Sequence, residues 1–587
     1  MPSMNNPGDF TGYKICRCGQ PETTSGRHQS EPPTRLETDR KLCPKPTPTI
    51  MASNEEGAVP GIEVTSQFET SEPLRVDVSS TTKEEDSHDE ADDITPTATR
   101  KTASAAPPSI TVPSLINGIE ETSTSTFPVI SPYTNSPCWN ATSATPSDAL
   151  RAVEAASAAF PAWSATKPTV RRDILLRTAD ILESRLEEIS EIMRTEMGAD
   201  VGTSQFFIAP FGIRMLRDLA GRITSICGSV PVVEEEGQSA IVHKEPMGVI
   251  LGIVPWNAPY VFGIRAAAGA LAGGNTTILK SSDLTPRCYW AIGRAFTDAG
   301  LPPGCLSILS CRPQDAPKVV NTMIEHPAVR KINFTGSTAT GRKIARTCGE
   351  NLKPCLMELG GKNSAIVCAD ADVEVAVREV LAGTLINSGQ ICMSTDRILV
   401  HSAIAPAFIS AIKVALDANT SQTSEPPTLV SIASKTRVQG LISDALATGA
   451  HFIHGSVDVD TSPSTSATSV RMAPIFMGDV NEKSALWQDE AFASLAAIRI
   501  VDSDSDAVRI ANQGGYGLSA AVFTEDLRKG FKLAKQIESG AVHINSMTVH
   551  DEVVLPFGGV KNSGWGRFNE KQGIEEFLVT KTVTWKD

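Results

Sequence analysis

Positive charge is in deficit: 53 Lys and Arg stand against 67 Asp and Glu, a net charge of −14 at pH 7 with a pI near 5.3. No basic patch breaks this balance, which argues against a nucleic-acid partner. No apolar run is long enough to cross a bilayer, so no membrane role is expected. The nearest, Val249–Ile264, is interrupted by Pro255, Asn257 and Pro259. It reads as a buried strand followed by a helix. Paired cysteine spacing is missing as well. The 12 cysteines are scattered and no secretory signal precedes them. That excludes a disulfide framework and points to a reducing, cytoplasmic setting. Cys16 and Cys18 form C-x-C with Cys43 beyond, but a fourth ligand at suitable spacing is lacking, so no metal is expected.

Hydrophobic residues make up 41% of the 587, enough for a large core and several structural units. They are unevenly spread. Residues 1–111 are rich in Pro, Ser, Thr and charge, lack periodicity, and are expected to be a disordered extension. Early acids such as Asp9, Glu22, Glu31, Glu37 and Asp39 count against a mitochondrial transit peptide. Met51 offers an internal start. From Val112 onward the pattern is α/β. Helical periodicity runs over Asp148–Trp163 and Val170–Met193. Strands at Val249–Pro255, Thr276–Lys280, Leu306–Ser310 and Lys331–Gly336 alternate with helical stretches, Ile264–Gly274 and Arg287–Gly300 among them. A second alternating set begins at Ser364. This predicts two doubly wound, mostly parallel sheets with a cleft between them.

Three segments carry chemistry. NSGQICMSTDR (Asn387–Arg397) sets Cys392 among small and polar residues, where it is either a small buried hydrophobe or a nucleophile. MELGGKN (Met357–Asn363) supplies the carboxylate of Glu358 before a glycine pair, and VPWNAP (Val254–Pro259) supplies the amide of Asn257. A thiol, a carboxylate and an amide donor are the parts that acyl chemistry through a thioester requires: a nucleophile, a base for water and a stabiliser of the oxyanion.

These segments, with LKSSD (Leu279–Asp283), FTGST (Phe334–Thr338) and PFGGVKNSGWGR (Pro556–Arg567), resemble the aldehyde dehydrogenase superfamily in order and separation over about Val112–Asp587. The resemblance implies a dinucleotide-binding domain at 112–360, a catalytic domain at 361–550 and a returning, oligomerising segment at 551–587, in a homodimer or homotetramer. It implies Cys392 as nucleophile, Asn257 as oxyanion donor and Glu358 as the base for water. It places Trp256, Lys280, Asp283, Gly336, Ser337, Glu490 and Phe492 on the cofactor, in a family whose dinucleotide site does without GxGxxG. Gly336 and Ser337 are expected to offer backbone N–H groups to pyrophosphate, with a plain N-cap as the other reading of Ser337. Asp283, acidic where a 2′-phosphate would lie, favours NAD over NADP, although the family more often has Glu there.

Within the superfamily, HINSMTVHDEVVLPFGG (His543–Gly559), RPQDAP (Arg312–Pro317) and GQICMSTDR resemble the branch acting on salicylaldehyde, vanillin and benzaldehyde. Arg265, eight residues beyond Asn257, is then either a donor to an oxygen on the substrate ring or a structural arginine. Phe206, Phe207 and Met393 are candidates to line an apolar pocket. One departure stands out. Where the family reads Glu-x-Phe-Gly-Pro, this chain reads Glu490-Ala491-Phe492-Ala493-Ser494, which alters the allowed backbone angles of the loop. That departure motivates a rival reading, a catalytically impaired member with a binding role. A further alternative is oxidation of a non-aromatic semialdehyde. Transfer of the thioester to coenzyme A or phosphate is a third, opposed by Glu358.

Overall fold

A computed structural model describes residues 110–422, 425–456 and 469–586. The expected disordered extension lies outside them except for Ile110 and Thr111, as do Cys16, Cys18, Cys43 and Met51. Thr111 already belongs to a strand, Thr111–Val112, which pairs with Ser136–Thr142.

Two large sheets organise the rest. The first runs Gly564–Trp565, Cys355–Glu358, Val329–Thr335, Val249–Ile253, Thr276–Lys280, Leu306–Leu309, Ser114–Ile116, Ile119–Glu121. Its five inner strands are parallel and its outer ones antiparallel. The second runs His451–His454, Ile475–Gly478, Leu495–Val501, Thr395–His401, Asn363–Val367, Ser519–Phe523, Ala541–Ile544, parallel except for the first pair. VILGI (Val249–Ile253) and SAAVF (Ser519–Phe523) are buried along their whole length, as expected of strands covered by helices on both faces. The helix Pro259–Ala272 is buried at every position. It lies close on the sheet because Gly252 has no side chain; a Cβ there would come within 2.7 Å of Leu279 Cδ2 and 3.1 Å of Ala266 Cβ.

The expected helix over Val170–Met193 is two helices, Pro168–Ser184 and Leu186–Met197, because Arg185 (φ −107°, ψ 18°) leaves the helical region. The second ends at Gly198 in the left-handed conformation, φ 74°. The C-terminal segment returns to earlier parts of the chain. Gly564–Trp565 joins the edge of the first sheet, and Leu578–Lys586 pairs antiparallel with Gln238–Pro246 over nine residue pairs.

Candidate active site

Strand ends collect the site. In the first sheet, Trp256 and Asn257 follow the carboxyl end of Val249–Ile253, Lys280 and Asp283 that of Thr276–Lys280, and Gly336 and Ser337 that of Val329–Thr335; Glu358 ends Cys355–Glu358. This edge is where open α/β sheets bind ligands. Facing it are loops that enter strands of the second sheet: Cys392 lies just before Thr395–His401, and Glu490 and Phe492 just before Leu495–Val501. Between them is a cavity of about 420 Å³ lined by Trp256, Asn257, Gly336, Ser337, Glu358, Cys392, Glu490 and Phe492. Lys280 and Asp283 are not among its lining residues. Lys280 is buried one strand away, its carbonyl accepting from Val254 N at 3.2 Å.

Cys392 owes its place to an unusual turn. Asn387, Ser388 and Gly389 are all left-handed, with φ of 52°, 57° and 71°. For Asn and Ser this costs of the order of 1–3 kcal/mol each unless the surroundings enforce it. Here they do. Asn387 Nδ2 donates to Asn257 O at 3.1 Å, Gln390 Nε2 donates to Asn387 O and Thr428 O at 3.2 Å, and Gln390 Oε1 accepts from Val430 N at 2.9 Å. Asn257 Nδ2 donates to Gln390 O at 2.9 Å, which commits one amide hydrogen and leaves the other. Asn363 Nδ2 donates to Cys392 O at 2.8 Å.

The carboxylates here are buried and reluctant to ionise. Desolvation pushes Glu358 up to about 7, against the lowering pull of the Arg265 cation. Its Oε1 makes no hydrogen bond within the protein. Desolvation also drives the Cys392 thiol well above its ordinary value, reinforced by the charges of Glu358 and Glu490. Glu490 is pushed up to about 8 for the same first reason, although Gly361 N donates to its Oε1 at 3.2 Å.

The altered loop is intact and braced. Phe492 adopts φ 54° and meets Trp256 edge to face, ring centroids 5.7 Å apart. Arg437 Nη1 donates to Glu490 O at 3.0 Å and Nη2 to Ala491 O. Ala493 and Ser494 pass so close to Gly389 that a Cβ there would lie 2.2 Å from the Ala493 carbonyl.

Three of the readings left by the sequence are narrowed. Arg265 does not line the cavity: it is 4% exposed, its guanidinium turned to Glu358 and Asp551. The Gly336 N–H is spent on Glu358 O at 3.0 Å, so it is not available to pyrophosphate. Phe206 is 73% exposed on the π-helix Gly202–Ile208, whereas Phe207 and Met393 pack with Cys392, Val549 and Phe557. Ser337 does cap the helix Thr338–Glu350, its side chain accepting from Thr340 N at 3.3 Å. Sequence reading passed over Arg437, Tyr516 and Asp551. Arg437 and Tyr516 line the cavity, and Asp551 reaches Glu358 through Arg265. Only the third dimension joins them to the motifs.

A dinucleotide suits this donor set. Thr338 and Ala339, which open the helix Thr338–Glu350, line the cavity together with an aromatic pair and the carboxyl of Glu490, as anionic and hydroxyl-bearing groups would require.

The model of the aldehyde dehydrogenase family matches residues 119–583. A vanillin dehydrogenase from Pseudomonas sp. strain HR199 is 41% identical over 482 residues, 81% of this chain and 97% of its own. A salicylaldehyde dehydrogenase from Pseudomonas putida is 34% identical over 474 residues, 79% of this chain and 96% of its own. The crystal structure of a salicylaldehyde dehydrogenase from Pseudomonas putida G7 complexed with salicylaldehyde superposes with a TM-score of 0.77 at 32% identity, covering 81% of this chain and 98% of that one. Architecture, site and sequence agree, and this chain belongs to the aldehyde dehydrogenase family.

Proposed function

We propose that this protein oxidises aromatic aldehydes of the vanillin and salicylaldehyde kind to carboxylic acids, with NAD as the preferred acceptor. The observation that carries the reading is the meeting of Cys392, Glu358 and Asn257 in one cavity, beside an apolar cluster of Phe207, Ile391, Met393, Val549 and Phe557. A flat, uncharged ring is the substrate such walls favour. The two Pseudomonas relatives named above act on such rings, as their names state.

Cys392 Sγ, once its proton has passed to solvent, attacks the carbonyl carbon, and the free amide hydrogen of Asn257 takes the developing oxyanion. A nicotinamide held there would supply the hydride acceptor, and oxidation of the adduct would leave a thioester on Cys392. Glu358, through its unpartnered Oε1, takes a proton from water; the water oxygen attacks the thioester, the acid departs and the thiol is restored. Glu490, Phe492, Trp256 and Ser337 would hold the cofactor, and Lys280 and Asp283 its adenosine end. Asp283 accepts from a 2′-hydroxyl and repels a 2′-phosphate, which supports NAD over NADP. The braced Ala493–Ser494 loop weighs against an impaired enzyme.

We further read 112–360 as the cofactor domain, 361–550 as the catalytic domain and 551–587 as the segment that joins subunits. The ribbon Leu578–Lys586 on Gln238–Pro246 exposes Val579, Val583 and Trp585, which suits a homodimer or homotetramer contact. Nine described cysteines are free, as suits the cytoplasm; among the described residues no helix is long and apolar enough to cross a membrane. Reduction of NAD, followed by absorbance with vanillin, salicylaldehyde and succinic semialdehyde, tests the reading. Higher kcat/KM for the two aromatic aldehydes is expected, and preference for the semialdehyde refutes it.

A further inference from the structure

Buried beneath the cavity is one cation between two carboxylates. Arg265 Nη1 donates to Glu358 Oε2 at 3.2 Å, and Arg265 Nη2 donates to Asp551 Oδ2. The side chains of Arg265 and Glu358 are 3% and 1% exposed, that of Asp551 10%. The rings of Phe557, Phe568 and Phe262 surround the guanidinium at 4.9, 5.4 and 5.8 Å. Asp551 is itself fixed: its Oδ1 accepts from Asn569 Nδ2 at 2.8 Å, and the same nitrogen donates to Glu552 O at 3.2 Å. Glu358 thus has one oxygen tethered and the other without a partner.

A lone arginine at this distance would form a strong buried pair with Glu358 and leave a poor base, held away from its water. A second carboxylate on the same guanidinium divides the attraction. We propose that Arg265 and Asp551 are positioning residues for thioester hydrolysis: Arg265 anchors Glu358 by one oxygen, and Asp551, sharing that cation, keeps the hold loose enough for the other oxygen to take a proton from water. The proposal rests on Glu358 being the base. The proton affinity of Glu358 accords with it, since Arg265 lowers it and Asp551 raises it. The other groups facing Glu358 are the Thr335 side chain and the Cys392 thiol. Facing Asp551 are Arg265, Asn569 and His550, and His550 Nε2 lies 3.1 Å from Glu552 with its ring tilted against that of His543, centroids 4.8 Å apart.

The test separates hydrolysis from hydride transfer. Acyl-enzyme is formed from benzaldehyde and NAD, and release of benzoate is followed by rapid quench from pH 5 to 9.5. Asp551→Asn keeps shape and removes the charge that shares Arg265. Its hydrolysis should titrate about one pH unit lower than in the wild type and reach a lower plateau, since a weaker base removes protons more slowly. Arg265→Gln removes the cation and should move the same titration upward. The burst of reduced nicotinamide should keep its amplitude in Asp551→Asn. Opposed shifts are not what a merely structural pair gives. If Asp551→Asn folds and leaves the titration where it was, the proposal is overturned, whatever Arg265→Gln does. Glu358→Gln run alongside keeps the two readings apart: if hydrolysis is not slowed there, Glu358 is not the base, and it is the assignment of Glu358 that fails.

Discussion

Replacing Glu358 by Gln should make the protein more stable above neutrality while it halts turnover. Burial raises this carboxyl from 4.5 to about 7. The folded protein therefore holds a proton that the unfolded chain has lost between those two values. By linkage, the favourable contribution is complete below pH 4.5 and is lost as pH rises through about 7. At about 1.4 kcal/mol per pH unit, holding the charged form in the fold costs about 3 kcal/mol above pH 7. Glutamine has nothing to ionise. The stability gap between Glu358→Gln and wild type should then widen in favour of the variant by up to about 3 kcal/mol from pH 5 to pH 8.5. Denaturant midpoints of the two proteins, measured in parallel at each pH, give the gap. Glu196, Asp396 and Glu490, which make no ion pair with Arg265, are present in both and cancel from the difference. Hydrolysis in the wild type should rise over the same interval in which its stability falls. A gap constant with pH refutes the reasoning, because a carboxyl that does not titrate there cannot serve as the base near neutrality.

Cys392→Ala should abolish oxidation at a stability change of only about 1–2 kcal/mol, and substantial turnover by the folded variant would remove the cysteine from its role. Gly389→Ala should destabilise by roughly 2–4 kcal/mol, since it adds a left-handed penalty to a collision with backbone; an unchanged melting temperature would contradict the geometry of that turn. Asp283→Ser should narrow the preference for NAD over NADP, read as the ratio of their kcat/KM values, and a wild type that favours NADP overturns the assignment. Removing residues 578–586 should lower the oligomer size measured by light scattering, and retention of the full assembly would show that the ribbon does not join subunits.

Much of this was legible in the sequence because the family motifs sit at strand ends, where a short apolar run stops and a polar residue follows. Thr276–Lys280 falls on its expected bounds, and Val249–Ile253 ends two residues before the expected Pro255. Cys392, Glu358 and Asn257 meet in one cavity although 135 residues separate the first from the last. What stayed hidden depends on pairing across the chain. Gln238–Pro246 shows no clear alternation, and its partner lies more than 300 residues on. For Arg265 the sequence leaves two readings open, a donor to the substrate ring and a structural arginine, because spacing gives a face and not a neighbour. Asp551 supplied the neighbour, from a loop that carries no periodic signal.

The left-handed turn at Asn387–Gly389 also bears on when the chain acquires its reactivity. Its brackets come from distant places: Asn257 follows a strand of the first sheet, Asn363 opens one of the second, and Thr428 and Val430 lie beyond the helix Ala405–Gln422. In a nascent or partly folded chain none of these is in place, and three adjacent left-handed residues relax to ordinary backbone. Cys392 is then one thiol among twelve. The attacking geometry arises only when both sheets have docked, so the chain acquires its reactive cysteine together with its completed fold.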